Sequence, residues 1–285
     1  MLTLGVIGTG HLATYLVTAL RRGGYDGTIV LTPRNAERAA ALERDAGCAI
    51  ARSTQEVVAG ADVVLLSVRP QQAQAALAGL TWSPGQSALS VMAGIPLETV
   101  RELVPGVGHV HLMMPLSFIA SVPGPFPLFP AAPHLMGLLG AAGDVVAVDD
   151  EEAFDASLLA ARASGWVYEL ADVLADELTN HGLDAEPARK LALGFIAGSA
   201  GDALSRPKES LSAITASIAT EDTYTKLGLE ILRDRDFDAP WREAIAAIAA
   251  RLRSSLSART GSCPKGRGWS RGDRRDRASV RRPGC

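Results

Sequence analysis

Cysteine is scarce in this chain. Cys48, Cys263 and Cys285 are the whole complement of its 285 residues, too few and too scattered for a disulfide framework or a zinc site. A reducing, cytoplasmic setting is therefore expected. No apolar run reaches the roughly 18 residues that span a bilayer, so no membrane partner is expected. The opening residues Met1-Leu2-Thr3-Leu4-Gly5 lack the basic stretch of a signal peptide. No internal repeat is evident. What remains is 47% hydrophobic and 21% charged, which excludes a wholly disordered or collagen-like chain. At roughly 150 residues per domain the length suggests two.

Net charge is also slight, at −3, but it hides an asymmetry. Residues 256–285 carry nine basic side chains against Asp273 and Asp276, a net +7, which leaves −10 on the rest. The tail has little apolar content, so disorder is expected there. It could contact phosphates, but Trp269 is its single aromatic and it has no folded motif. Nucleic acid is an unfavoured partner for so acidic a body.

Residues 1–150 alternate short apolar runs with helix-like segments. Strands are expected at Leu4–Ile7, Thr28–Leu31, Ala49–Ala51, Asp62–Val68, Ser87–Met92, His109–Met113 and Val145–Val148. Helices are expected over 11–22 and 36–46, with another opened by Pro96. Apolar strands separated by helices indicate a parallel sheet covered on both faces, an α/β doubly wound Rossmann-like domain. Residues 151–255 show no convincing strand. Helices are expected there over 153–181, 185–204, 208–219, 223–233 and 239–255, punctuated by Gly182 and Pro207. The domains are thus read as 1–150, 151–255 and a tail from 256.

The strongest signal is Gly8-Thr9-Gly10-His11-Leu12-Ala13. It fits G-x-G-x-x-(G/A), follows the first strand and opens a helix. Gly8 allows a tight turn, Gly10 lets backbone approach a pyrophosphate, and Ala13 lets helix pack on strand. The helix N-terminus offers free N–H groups to phosphates. A dinucleotide is the expected cofactor.

The end of the second strand selects between NAD and NADP. NAD sites place an acid there for the ribose 2′-OH. Here the residues are Leu31-Thr32-Pro33-Arg34-Asn35, with no acid before Glu37. Thr32, Arg34 and Asn35 suit a 2′-phosphate, with Arg34 as a charge-assisted fork; NADP(H) is favoured over NAD(H). Ligands of doubly wound sheets lie beyond the carboxyl ends of the strands. Val68-Arg69-Pro70 and Ala93-Gly94 lie there, and the small Ala93-Gly94 pair lets a flat ring approach backbone.

Taken in order, Gly8 to Ala13, Ala61 to Gln71, Met92-Ala93-Gly94 and Met114-Pro115 resemble the pyrroline-5-carboxylate reductase family, and Ala163-Ser164-Gly165-Trp166-Val167-Tyr168 stands where that family has Ser-Gly-Ser-Gly-Pro-Ala-Tyr. The likeness spans about residues 2–250. It implies a Rossmann domain followed by an all-helical dimerisation domain. It also implies NAD(P)H-dependent reduction of a small cyclic imine of the kind that ends proline synthesis, in a homodimer or higher homo-oligomer. Met114 and Pro115 join the implied cofactor contacts. The substrate end differs: Met-Pro-Asn-Thr-Pro is here Met114-Pro115-Leu116-Ser117-Phe118. The loop Thr-(Ser/Thr)-Pro-Gly-Gly-Thr-Thr is here Ala219-Thr220-Glu221-Asp222-Thr223-Tyr224-Thr225. Two acids in place of Pro-Gly would repel an anionic substrate.

An imine needs less help than a ketone, because an iminium is already electrophilic. No catalytic dyad is therefore required. Ser164, Tyr168 and Asp172 share one helix face, and Tyr168 could donate a proton or orient substrate. Thr220, Thr223 and Thr225 could supply hydroxyls, with helix capping as the favoured alternative for any one of them. A carbonyl reductase of the 3-hydroxyacid dehydrogenase type is a second reading, for which Lys190 would be the acid. A cofactor-binding protein without catalysis is a third. His109 and His111 alternate on one strand and so face one side. They lack a third ligand, so a structural role is expected and no metal. The segment Pro123 to Pro133 is read as a pocket wall or a rigid connection.

Overall fold

The computed structural model describes residues 1–260, with side chains to residue 252. Elements follow in the order β1 (Leu4–Ile7), α1 (His11–Arg22), β2 (Ile29–Leu31), α2 (Ala36–Ala46), β3 (Ala49–Ile50), α3 (Thr54–Ala59), β4 (Val63–Leu66), α4 (Ala73–Leu77), β5 (Ser87–Ser90), α5 (Leu97–Leu103) and β6 (His109–Met113). Then come β7 (Pro125–Phe129), α6 (Pro133–Leu139) and β8 (Asp144–Ala147). The helical half is α7 (Glu151–Asn180), α8 (Ala185–Ser205), α9 (Leu211–Ile218), α10 (Tyr224–Asp234) and α11 (Asp238–Thr260).

The strands form one sheet in the order β3-β2-β1-β4-β5-β6-β7-β8. The first six are parallel, and the chain reverses its direction of travel across the sheet between β1 and β4. That is the doubly wound pattern, with its crevice at the β1/β4 switch point. Every residue of β1, β4 and β5 is buried, as a sheet sandwiched between helices requires. One face packs Leu4, Val6, Leu65 and Leu89 against α1, α2 and α6. The other packs Ile7, Val64, Leu66 and Ala88 against α3, α5 and the start of α7.

Local signals set the helix ends. In α1 Ala13, Leu16, Val17 and Leu20 form the buried stripe. Asn35 caps α2, and Gly47 closes it with φ +60. At Gly5, by contrast, the demand is for space: a Cβ would lie 2.8 Å from both Ala61 Cβ and Val57 Cγ1, so only glycine lets α3 pack on β1.

The all-parallel sheet expected from the sequence needs correcting at its far edge. β7 runs antiparallel to β6, and β8 is parallel to β7. The Pro-rich segment read as a wall or connection is in fact β7 and the start of α6. Pro125 and Pro127 hide the strand, since a proline cannot donate to the ladder. Pairing with β6 is accordingly limited to Leu112↔Phe129 and Met113↔Leu128. The helical half follows the expected pattern closely, with breaks at Gly182 and Pro207. The tail expected from residue 256 begins as the last turn and a half of α11, and residues 261–285 lie outside the described part. No helix among the described residues is long and apolar enough to cross a membrane.

His109 and His111 do face one side of β6, and α6 adds His134 above them. The His111 ring lies 6.4 Å from that of His109 and 6.1 Å from that of His134. Among the described residues no three such side chains converge well enough to hold a metal. His111 is only 3% exposed. Its Nδ1 lies 2.6 Å from the Pro130 carbonyl, so Nδ1 carries the proton and donates. Its buried Nε2 has no partner. Burial holds this imidazole below the ordinary histidine range; the Pro130 bond opposes that, while His134 and His109 reinforce it. The sign follows: the unfolded imidazole takes a proton near pH ~6.5, which the folded one resists. Stability is therefore held above about pH 6.5 and lost as pH falls below it. Urea unfolding from neutral to mildly acidic pH should show the wild type losing stability, and His111→Leu losing less.

Candidate active site

The site is organised where β1 turns into α1. Gly8 adopts φ +96, and a Cβ there would sit 2.6 Å from the Ser67 carbonyl oxygen at the end of β4. The Gly8 N–H donates to Thr32 Oγ1 at 3.1 Å. One glycine thus ties together the carboxyl ends of three neighbouring strands. Gly10 is the N-cap of α1 in extended conformation, with no side chain capping the helix. No acid occupies the first turn, so the N–H groups of His11, Leu12 and Ala13 are open to an anion. A Cβ on Gly10 would meet only the Ser67 carbonyl oxygen at 3.9 Å. The space over this turn is therefore kept clear of protein. Thr9 is 3% exposed, and its hydroxyl has no protein partner. An uncapped helix start, open space and an orphaned hydroxyl are what a bound pyrophosphate would complete.

At the end of β2 the residues divide by role. Thr32 is buried with its hydroxyl engaged by Gly8, so it shapes the turn. Asn35 Oδ1 accepts from the Arg38 N–H at 3.3 Å, and its Nδ2 reaches the Thr9 carbonyl at 3.5 Å. That side chain braces one loop against the other. Arg34 is exposed and free of such duties. Arg38, which the sequence did not single out, reaches His11: its Nη2 donates to His11 Nε2 at 2.6 Å. One helical turn beyond Arg34, it places a second guanidinium over the start of α1.

Farther along the same sheet edge lie exposed Arg69, part-buried Val68 and Pro70, and the Ala93-Gly94 turn with Gly94 at φ +71. Beyond them a cavity of about 150 Å³ opens at the ends of β5 and β6. Met92, Gly94, Met114, Phe154, Asp155 and Leu158 are among its walls. Pro115 is buried beside Met114. Two acids of α7 enter this lining, Glu151 and Asp155. Glu151 Oε1 accepts the Leu97 N–H at 2.8 Å and so caps α5. Asp155 is half-buried; burial and the Glu151 charge push its carboxyl up, and Arg162 opposes them. No signal short of the packing of α7 marks it, because it adjoins the apolar pair Phe154 and Leu158.

The residues expected to act from the helical half do not reach this cavity within one chain. Tyr168 is 63% exposed. Ser164 donates its hydroxyl to the Ala161 carbonyl in its own helix, at 2.7 Å. Thr220 and Thr225 are exposed, and the cap of α10 is Thr223, which accepts the Lys226 N–H. Lys190 is exposed too. The two acids of the 219–225 loop are unequal. Glu221 pairs with Lys226 at 2.5 Å, whereas Asp222 sits at φ +62 in the left-handed region. Apolar side chains stand uncovered along the same helices, including Phe195, Leu211, Ile218 and Tyr224.

Comparison with known proteins matches both halves. Residues 3–94 match the family described as NADP oxidoreductase coenzyme F420-dependent, and residues 151–255 match pyrroline-5-carboxylate reductase dimerisation. The pyrroline-5-carboxylate reductase of Pseudomonas aeruginosa is 28% identical, over 87% of this chain and 94% of its own. That of Haemophilus influenzae is 26% identical over 87% and 95%. The chain belongs to the pyrroline-5-carboxylate reductase family. Its members are oxidoreductases, and its fold is an NAD(P)-binding Rossmann-like domain followed by a helical dimerisation domain. A solved pyrroline carboxylate reductase of Plasmodium falciparum with NADP bound superposes with TM-score 0.75 at 16% identity, covering 90% of this chain and 98% of that one. The reductase of Coxiella burnetii gives 0.77 at 19%, covering 89% and 98%. The uncovered apolar faces of α7–α10 lie within the family's dimerisation segment, which explains why one chain leaves them bare.

The two glycines should separate in experiment. Gly8→Ala strains the turn, at roughly 1–2 kcal/mol for a left-handed non-glycine residue, and should lower the melting temperature. In Gly10→Val the Cβ would meet only the Ser67 carbonyl oxygen, at 3.9 Å, so this variant should lose less stability than Gly8→Ala, the loss being that of a poorer helix N-cap. Its NADPH affinity, read by fluorescence titration, should fall by about tenfold or more because the Cβ enters the phosphate space. Undiminished NADPH binding by Gly10→Val would contradict this assignment.

Proposed function

We propose that this chain is an NADPH-dependent reductase of the C=N bond of a small cyclic imine, of the proline-biosynthesis type, working in the cytoplasm as a homodimer or larger homo-oligomer. Residues 1–150 hold the cofactor, and residues 151–255 form the dimer and close the substrate site. One observation carries the reading: the uncapped start of α1 and the cavity walled by Gly94, Met114 and Asp155 share one sheet edge. The relatives that match over nearly their whole length are named for this reaction.

The cofactor, when bound, supplies the hydride. Gly8, Thr9, Gly10 and the first N–H groups of α1 hold the pyrophosphate. Val68, Arg69 and Pro70 follow the cofactor across the switch point, and Ala93, Gly94, Met114 and Pro115 flank the ring. Arg34 and Arg38 meet the ribose 2′-phosphate; His11 positions Arg38, and Thr32 and Asn35 fix the loops that carry them. That pair, with no acid at the end of β2, supports NADPH over NADH. Tyr168, Thr220 and Thr225 act from the helical faces that a second copy covers. Ser164, bonded into its own helix, supports the Tyr168 segment. The exposure of Lys190 counts against the carbonyl-reductase reading, because no lysine lines the cavity.

The test is steady-state loss of NADPH absorbance with pyrroline-5-carboxylate and with pyrroline, the same ring without a carboxylate. Turnover is expected with at least one, and NADPH should be preferred to NADH. The double variant Arg34→Ser, Arg38→Ser should lose that preference by about 10- to 100-fold, as expected for the loss of two charge-assisted contacts. No turnover with any cyclic imine would remove the reading.

A further inference from the structure

The cavity at the ends of β5 and β6 contains one charged group that the rest of the molecule does not employ. Its walls are apolar or backbone at Met92, Gly94, Met114 and Phe154, and its charged lining residues are Glu151 and Asp155. Glu151 is committed to the Leu97 N–H at the start of α5. Among the described residues no hydrogen bond reaches the Asp155 side chain. Arg162, the cation near it among the described residues, directs its Nη1 to the Leu158 carbonyl at 2.8 Å. Asp155 is therefore a half-buried carboxylate with no hydrogen-bond donor of its own, in a cavity whose lining carries a single hydroxyl, that of Ser90, and no cation. Such a group is costly unless a cation bearing an N–H arrives.

We propose that Asp155 is the residue that receives the N–H of the substrate's iminium, holding the C=N nitrogen protonated while hydride is delivered to carbon. The inference rests on the reductase reading above. A cyclic imine is a far weaker base than an amine, so in neutral or alkaline solution it is mostly unprotonated and a poor hydride acceptor. A carboxylate at contact distance raises the bound imine's proton affinity, and the low-polarity walls strengthen that effect. The nitrogen takes one proton from solvent, and the iminium N–H then donates to Asp155. The bound cofactor would supply the hydride that forms the new C–H bond at the ring carbon, and the C=N π pair becomes the lone pair of the amine. The balance is imine, NADPH and a proton to amine and NADP⁺, with Asp155 ending as it began. Among the described residues, the charged groups that face Asp155 belong to α7, namely Glu151 and Arg162. The strand ends and the Met92–Pro96 turn contribute none to the cavity.

The experiment uses the full chain as wild type, Asp155→Asn and Asp155→Glu, with pyrroline as substrate so that no substrate carboxylate intervenes. NADPH affinity, read by fluorescence, should be the same in all three and reports that the fold is intact. For Asp155→Asn, kcat/KM should fall by about tenfold or more in alkaline solution. The deficit should narrow toward mildly acidic pH, where solvent protonates the imine unaided. Asp155→Glu should restore the wild-type shape of the pH profile. A second readout does not need turnover: pyrrolidinium, titrated calorimetrically into the NADP⁺-loaded protein, should bind Asp155→Asn roughly tenfold more weakly. Equal pyrrolidinium affinity, no binding by the wild type, or an Asp155→Asn pH profile parallel to that of the wild type would overturn the proposal. A wild type that turns over no imine yet binds pyrrolidinium through Asp155 would instead sink the reductase reading and leave a cation site.

Discussion

The turn at Gly8 is the constraint on which the rest depends. Its left-handed backbone leaves no room for a Cβ, which would sit 2.6 Å from the Ser67 carbonyl oxygen, and its N–H reaches the Thr32 hydroxyl. The ends of β1, β2 and β4 are locked in one plane as a result. With that plane fixed, α1 leaves the sheet with its N-terminus uncapped at the switch point. The loops after β4, β5 and β6 then open on the same edge. A larger residue at Gly8 would displace α1 from β4 and break the path from the phosphate end to the cavity.

Much of the sheet was legible because buried parallel strands announce themselves. Runs such as Val63-Val64-Leu65-Leu66 have no alternation and stop at turn residues. The glycine fingerprint was legible for the same reason, since its meaning lies in local backbone. β7 was hidden by Pro125 and Pro127, which suit an edge strand whose partner bonds are few. The short helices α3 and α4 are silent in the sequence because five or six residues give no periodicity to read.

Side-chain roles were less legible, because they depend on what each group finds to bond. Thr32 and Asn35 read as phosphate ligands, yet their polar atoms brace the loops around Gly8 and Thr9. Arg38 carries no signal in the sequence, because its placement comes from the turn of α2 that returns it to His11. Asp155 is silent in the sequence, because an acid beside Phe154 and Leu158 reads as the edge of an apolar stripe. The loop acids Glu221 and Asp222 read as an uncompensated pair, whereas Lys226 neutralises one of them. Tyr168, Thr220 and Thr225 are exposed in the single chain, so nothing among its described residues assigns their side chains a partner. The body's charge of −10 is accordingly no uniform field, since its acids are locally paired along the helices at Asp202, Glu221 and Asp238.

The account's central claim is that this scaffold brings a reduced nicotinamide and a cyclic C=N bond together at the ends of β5 and β6. The direct measurement is isotope transfer. The protein is incubated with pyrroline or pyrroline-5-carboxylate and NADPH deuterated at either face of the nicotinamide C4, and the amine product is analysed by mass spectrometry and NMR. The account predicts a single deuterium on the ring carbon next to nitrogen, delivered from one face only. Product without deuterium from both labelled cofactors, deuterium from both faces alike, or no amine product from either ring would contradict it.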